Sequence, residues 1–291
     1  PGFGHRTQRW PHKNLRGNIN PPPLFQMYAA SVAMQKGFEV KIWDAPAQQL
    51  PLEQLLKEVA DFAPEMIVVN VSTPSFDHDL ALIRTLKQRF SSLIVAVGPH
   101  VTALAQSVMS EHREIDIVAL GEYEYTISEI ASSLDNLSAV KGIVFRKGDK
   151  LMKTETRELL KDIDELPYPA WDAIDIHLYR ESQFPASKRP IATVMTSRGC
   201  NHHCTFCLYP QVMFNNKLRL SDLSKAIEEI RWLKDRFGVR FIYLEDDNFT
   251  ASWKRVEEFC AMLIKERVNI SWGCLSRTDG VTKERLSLLK E

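Results

Sequence analysis

The segment Arg198-Gly199-Cys200-Asn201-His202-His203-Cys204-Thr205-Phe206-Cys207 holds three of the chain's five cysteines, spaced C-x3-C-x2-C. Thiolates this close along one loop converge when the backbone curls, and a metal centre is what needs several of them together. Three sulfurs can hold three irons of a cubane [4Fe-4S] cluster and leave the fourth iron open to a chelating ligand. A cluster built only to carry electrons asks for a fourth cysteine nearby, and the next one is Cys260. The same thiols with His202 or His203 could form a Cys3His zinc site, although such sites usually pair two knuckles and one is present. Unrelated buried thiols rarely cluster so tightly. Residues 1–199 contain no cysteine from which a disulfide framework could be built. Cys260, in mid-helix, and Cys274, in an apolar strand, read as small core fillers.

Other polar groups gather at three further kinds of loop. Glu245-Asp246-Asp247-Asn248-Phe249-Thr250 begins with three adjacent carboxylates. They repel one another, so a cation should face at least one; the alternative is a solvated turn in which Asp247 or Asn248 starts the next helix. Arg277 could pair with a ligand carboxylate or make a surface salt bridge. In the N-terminal half, Asn70–Ser75, Val97–Thr102 and Leu120–Glu124 are rich in small, hydroxylated and glycine residues. That composition permits close backbone approach and hydrogen bonding to a large polar ligand. It also suits ordinary turns, with Ser75, Asp77 or Thr102 as helix N-caps.

The elements that must carry these loops follow from periodicity. Residues 1–23, polar and proline-rich, read as loop. Helical spacing covers 24–35, 52–62, 77–90, 101–111 and 124–134, and apolar or alternating runs mark strands at 38–44, 66–71, 93–97 and 115–120. Strands alternating with helices imply a parallel, doubly wound sheet of flavodoxin-like (Rossmann-like) type, whose ligands sit beyond the C-terminal strand ends. The series opens on a helix, so a first strand is expected before Pro1. A hairpin over 143–153 turns at Lys147-Gly148-Asp149-Lys150. Residues 158–190, with Pro167, Pro169, Pro185 and Pro190, read as an extended connector, or alternatively with a surface helix over 171–180. Three β/α units then follow: strands at 191–196, 241–245 and 270–275, and helices at 221–236, 252–266 and 282–290. Barrel enzymes place chemistry on the loops after strands. The cysteine loop, the Glu245–Thr250 loop and Ser276-Arg277-Thr278-Asp279 all obey that rule.

The 291 residues suggest about two domains: a ligand-binding domain over 1–140, a linker with hairpin over 141–189, and a second domain over 190–291. Lys plus Arg and Asp plus Glu balance at 37 each, so no global field argues for nucleic acid or an anionic membrane. No apolar run approaches the ~20 residues of a membrane span, and no signal peptide is apparent. A reducing cytoplasm fits free thiols. The sequence starts without Met and stops inside a helical pattern, as expected of a fragment truncated at both ends.

With Phe206 at the aromatic position, the cysteine loop resembles the C-x3-C-x-aromatic-C signature of the radical S-adenosylmethionine (SAM) superfamily. Asp246-Asp247-Asn248-Phe249-Thr250 resembles that family's Asp-Asp-x-Phe-Thr segment. The serine/threonine loop after Asn70, Gly98-Pro99-His100-Val101-Thr102 and Gly121-Glu122-Tyr123-Glu124 look like the cobalamin-binding domain of cobalamin-dependent radical SAM enzymes. Val97 and Tyr123 depart from it, each standing where glycine is common. The Asp-x-His-x-x-Gly cobalamin motif is missing, so no histidine is expected below the cobalt, and His100 reads as a loop or propionamide contact.

The resemblance implies a cobalamin domain followed by a partial (β/α) TIM barrel. It implies a cluster on Cys200, Cys204 and Cys207, and SAM near Phe206, Glu245, Asp246, Asp247 and Arg277. Cobalamin would lie near Ser72, Thr73, Ser75, Gly98, His100, Val101, Thr102, Gly121 and Glu122. The activity implied is methylation of an unactivated carbon of a small-molecule substrate through a 5′-deoxyadenosyl radical, with electrons from a flavodoxin or ferredoxin. An oxidative cyclase of the Mg-protoporphyrin ester type is the alternative. A methylthiotransferase would carry further N-terminal cysteines. An iron–sulfur carrier or a corrinoid-binding module would leave one half of the chain unexplained.

Overall fold

The computed structural model describes residues 3–5, 11–13, 21–179 and 188–290. The chain divides into two units, 1–160 with 167–174, and 161–166 with 175–291.

In the first unit, Phe3–His5 (β1) pairs antiparallel with Pro11–Lys13 (β2), so part of the expected N-terminal loop forms a short ladder. Pro21-Pro22-Pro23 lead into Leu24–Gln35 (α1), whose apolar side chains are buried nearly all round. The expected strand over 38–44 is absent. That stretch runs without ladder partners among the described residues, and a strand cannot form without a neighbour to take its N–H and C=O groups. Its Trp43 is held instead by the second helix downstream: Nε1 donates to Glu58 at 3.0 Å, and the ring meets Phe62 edge-on. Ala45–Gln48 (α2) and Leu52–Phe62 (α3) come next.

Met66–Asn70 (β3), Phe76–Arg89 (α4), Leu93–Val97 (β4), Pro99–Glu111 (α5), Ile117–Ala119 (β5) and Glu124–Ser132 (α6) form the strand–helix alternation. β3, β4 and β5 are parallel neighbours. Ile94, Ala96 and Val118 sit in one core with Ile83, Leu86, Val101, Val108 and Met109 from the helices. Ile143–Lys147 (β6) and Lys150–Lys153 (β7) make the expected hairpin, and it continues the sheet antiparallel to β5, giving the order β3-β4-β5-β6-β7. The first unit therefore runs past 140 and includes the hairpin.

The proline-rich connector forms single 3₁₀ turns at Ile163–Glu165, Trp171–Ala173 and Ile176–Leu178 rather than a helix over 171–180. It is packed rather than merely extended. Ser31 donates to Tyr168 O at 2.6 Å and Ala170 N to Met27 O at 3.2 Å, while Trp171 is fully buried in the first unit. Residues 161–166 belong to the second unit: Asp222 N donates to Asp164 Oδ2 at 2.6 Å, and Lys225 Nζ reaches Asp164 O and Leu166 O. The connector residues around Pro185 lie outside the described residues.

The second unit is built on Ile191–Val194 (β8), Ser197–Arg198 (β9), Leu208–Phe214 (α7), Arg219–Leu220 (β10), Leu223–Phe237 (α8), Phe241–Leu244 (β11), Trp253–Lys265 (α9), Ser271–Cys274 (β12) and Lys283–Lys290 (α10). Asp222 caps α8 through Ser224 N, Gly238 ends it in the left-handed region, and Ser252 caps α9. β8, β11 and β12 are parallel in the order β12-β11-β8. This is the expected run of β/α units.

Candidate functional site

Register places the loops of each unit side by side. In the second unit, Leu244 pairs with both Val194 and Cys274, so β8, β11 and β12 end in one row. Neighbouring strands lie about 4.8 Å apart, and the loops beginning at 195, 245 and 275 leave from one edge.

The cysteine loop is an excursion between β9 and β10, which pair antiparallel and close its base. Gly199 follows β9 with φ +83°, and a Cβ there would collide with Lys217 O, so a side chain is barred on both counts. Cys200 is buried and Cys204 and Cys207 are half-buried; all three thiols are free. Cys207 N donates to Cys204 O at 3.0 Å, and Gln211 Nε2 from α7 ties down Cys204 O at 3.2 Å and Cys207 O at 2.8 Å. Burial raises the Cys200 and Cys207 thiols above the usual range. The charge of Asp247 and the other cysteines of the loop raise them further, which places these groups within electrostatic reach of one another. Among the described residues, no three His, Cys, Asp or Glu side chains close on a single metal ion. A cubane asks for something different, since each thiolate binds its own iron. Three free thiols on one tied-down loop, with cationic charge needed to stabilise their thiolates, fit that cluster.

The three carboxylates separate into different roles. Glu245 is buried, its N–H continuing the strand ladder to Val194 O at 2.9 Å. Asp246 is buried and accepts four hydrogen bonds from Thr196 and Ser197. Asp247 is the one whose field reaches Cys200 and Cys207. None of the three caps the next helix, which Ser252 does. Arg277 Nη1 lies 3.5 Å from Cys204 Sγ, and its Nε and Nη2 hold Asp279. Phe206 is 89% exposed beside the cysteines. Cys260 is buried on α9, and burial pushes the half-buried Cys274 thiol up to about 12, which keeps that thiol neutral.

In the first unit, Asn70 pairs with Val97, and the loops after β3, β4 and β5 again share an edge. Gly98 has φ +113°, and a Cβ there would stand 2.6 Å from Val71 O and 2.9 Å from Asn70 Oδ1. Only glycine lets the second loop lie so close to the first. Thr73 Oγ1 and His100 Nδ1 are 3.0 Å apart, and the His100 ring packs on Phe76 at 4.3 Å. Burial lowers the His100 pKa, favouring the neutral ring. Thr102 lies inside α5, and its Oγ1 accepts from Gly121 N at 3.1 Å, so it ties the first turn of that helix to the loop after β5 rather than capping the helix. Glu122 Oε2 accepts from Leu160 N at 3.1 Å.

Three expected contacts turn inward. Val101 is fully buried in the core, because the helix begins at Pro99 and turns this position onto the sheet. Ser72 and Ser75 are buried; their hydroxyls meet at 2.7 Å, and Ser75 Oγ donates to Asp79 Oδ2 at 2.7 Å. Thr73, His100, Gly121 and Glu122 remain at the open edge. A backbone edge cleared by Gly98 and lined by hydroxyl, imidazole and carboxylate groups fits a large polar ring with amide arms. The Ser72–Ser75–Asp79 network, Gln211, Thr196, Ser197 and Arg255 went unseen in the sequence. A carboxylate one helical turn after Ser75 was the available signal for the first; the others depend on long-range packing and left none.

Residues 17–131 match the model of the B12 binding domain, and residues 194–291 match that of the radical SAM superfamily. The chain is 29% identical, over 93% of its length and 58% of the relative's, to an uncharacterized methyltransferase, PH0819, of Pyrococcus horikoshii. It is 26% identical, over 90% of its length and 52% of the relative's, to the anaerobic magnesium-protoporphyrin IX monomethyl ester cyclase of a Synechocystis species. The chain thus spans little more than half the length of these curated relatives. In fold it is similar to the cobalamin-dependent S-adenosylmethionine radical enzyme OxsB, with TM-score 0.74, 20% identity, and 93% of this chain and 40% of that one covered. It is also similar to the radical S-adenosylmethionine methyltransferase TsrM of Kitasatospora setae, with TM-score 0.72, 15% identity, and coverage of 94% and 55%.

Proposed function

We propose, for a chain that joins a B12-binding domain to a radical SAM domain and is an enzyme of the radical SAM family, methylation of an unactivated carbon of a small-molecule substrate. Its cofactors are a [4Fe-4S] cluster, SAM and cobalamin. When bound, these supply a 5′-deoxyadenosyl radical for hydrogen abstraction and a methyl group for transfer, while the protein binds and orients them.

The observation that carries this reading is that free Cys200, Cys204 and Cys207 share one loop tied down at its base by the β9–β10 ladder and by Gln211, with Asp247 within electrostatic reach of Cys200 and Cys207. Cys200, Cys204 and Cys207 would hold three irons. Asp247 would meet the ammonium of SAM, and Arg277 the carboxylate. Phe206, exposed beside the thiols, offers an apolar face to the adenosyl end. In the first unit, Thr73, His100, Gly121 and Glu122 would hydrogen-bond the corrin arms. His100, whose Nδ1 meets Thr73, would serve as a loop contact, and with no Asp-x-His-x-x-Gly motif in the chain no histidine is assigned to the cobalt. A reductant of the flavodoxin or ferredoxin class would deliver the electron. Among the described residues no helix is long and apolar enough to cross a membrane.

Similarity to an anaerobic cyclase favours one second reading, oxidative ring closure at the same site. Anaerobic reconstitution with iron, sulfide and methylcobalamin, followed by turnover with methyl-deuterated SAM, separates the two. Label in the product supports methylation; 5′-deoxyadenosine with an oxidised, unlabelled product supports cyclisation. A chain that binds no cobalamin under these conditions sinks both.

A further inference from the structure

The neck of the cysteine loop is fastened more heavily than its ends require. After β8 the chain turns through Met195 and Thr196 into β9, and Thr196, Ser197, Arg198 and Asp246 are all at most 2% exposed. Asp246 Oδ1 accepts from Thr196 N at 2.7 Å and Ser197 N at 3.1 Å. Its Oδ2 accepts from Thr196 Oγ1 at 2.6 Å and Ser197 Oγ at 2.7 Å. A carboxylate has about four lone-pair sites, so these donors fill both oxygens. On the other side of the same turn, Thr196 O accepts from Ser221 N at 2.9 Å, Ser221 Oγ at 2.9 Å and Arg255 Nη2 at 3.0 Å. Arg255 Nη2 also reaches Ser221 O at 2.6 Å. Arg255 feels the charge of Asp246, and burial raises the Asp246 pKa against the opposing pull of the hydrogen bonds from Thr196 and Ser197.

We infer that Asp246 is a positioning residue: from the end of β11 it sets the backbone of Thr196 and Ser197, and through them the place of Cys200, rather than touching SAM. This rests on the cluster reading of the cysteine loop. Burying a charge is costly unless it is fully hydrogen-bonded, and charge-assisted bonds to backbone N–H groups are strong and directional. The segment from 196 to 199 is thereby fixed by Asp246, by the β9–β10 ladder and by the close approach of Gly199 to Lys217. Cys200 follows with no slack. The two hydroxyls are what distinguish a clamp from a ligand contact: all four donors come from the loop itself.

The test compares wild type with Asp246→Ala, Asp246→Asn and Ser197→Ala, reconstituted anaerobically with iron and sulfide and read before SAM is added. The readouts are iron and sulfide content, the EPR spectrum of the reduced cluster, and iron loss to a chelator, with thermal melting as the check on folding. Asp246→Ala should release iron at least ~10-fold faster, the usual cost of losing a group that orients a metal ligand, and shift the EPR spectrum. Asp246→Asn should rescue to within about twofold. Its carbonyl keeps the two N–H donors, and its amide can donate to hydroxyls that act as acceptors. Ser197→Ala should fall between, and it decides the matter if Asp246→Ala does not fold. Folded variants with wild-type loading and spectrum, whether or not SAM binding weakens, overturn the inference. A wild-type chain that takes up no cluster overturns the site reading, and this inference with it.

Discussion

Replacing Asp79 by Asn tests whether a buried carboxyl beside the strand-end loop of the first unit is kept at a cost in stability. Asp79 accepts from Ser75 Oγ at 2.7 Å and Ser72 N at 3.3 Å. Burial outweighs these hydrogen bonds and raises its pKa from 3.8 to about 6. Because the folded pKa lies above the unfolded one, the favourable contribution is complete below pH 3.8 and is lost as pH rises through about 6. A shift of this size corresponds to about 3 kcal/mol between the two limits. Asparagine mimics the neutral acid and can keep both donors. Asp79→Asn should therefore stabilise the first unit by about 3 kcal/mol at pH 7.5, but only about 1 kcal/mol at pH 4.5. Hydrogen exchange of the β4 amides, buried in that unit's core, reads this locally. Protection should rise ~150-fold at the higher pH and about sixfold at the lower, if these amides exchange by unfolding of the unit. Equal gains at both pH values, or a loss at pH 7.5, would refute the argument that desolvation dominates this carboxyl.

Cys204→Ala should remove most iron and the visible absorbance of the reconstituted chain while leaving thermal melting unchanged, since the thiol is half-buried and forms no disulfide. Gly98→Ala should cost about 1–3 kcal/mol in chemical denaturation and weaken cobalamin binding. It forces a side chain at φ +113° to within 2.6 Å of Val71 O. Arg277→Ala takes a cation and an N–H donor from Cys204 Sγ. The reduced cluster should lose support, and a redox titration followed by EPR should show a more negative potential, by ~60 mV for a tenfold change in a one-electron equilibrium.

Much of the architecture was legible because burial imposes periodicity. The apolar runs over β3, β4 and β5 and the helical spacing of α3, α4 and α8 had to appear in any chain that packs both faces of a parallel sheet. Residues 38–44 show where that logic stops. They alternate as a strand does, yet the described structure gives them no ladder, because a strand is completed by its neighbour rather than by its own residues. The proline-rich connector was legible as non-helical. Which stretch of it joins which unit depended on partners such as Met27 and Lys225, far away in sequence.

The site divides along the same line. Spacing within one loop already brought Cys200, Cys204 and Cys207 together, because a few residues of backbone cannot separate them widely. Strand-end position already gathered Thr73, His100 and Gly121. Sequence left Glu245, Asp246 and Asp247 equivalent, three neighbouring acids on one loop. Tertiary structure made them unlike: one lies at the end of the strand ladder, one is used up by the donors of Thr196 and Ser197, and one is left within reach of the thiols. It likewise turned Val101 into the core while leaving His100 at the edge. Residue type states what chemistry a side chain can do. Which partner fills its hydrogen-bonding capacity, and so whether any is left for a ligand, is decided only by the chain segments that fold against it.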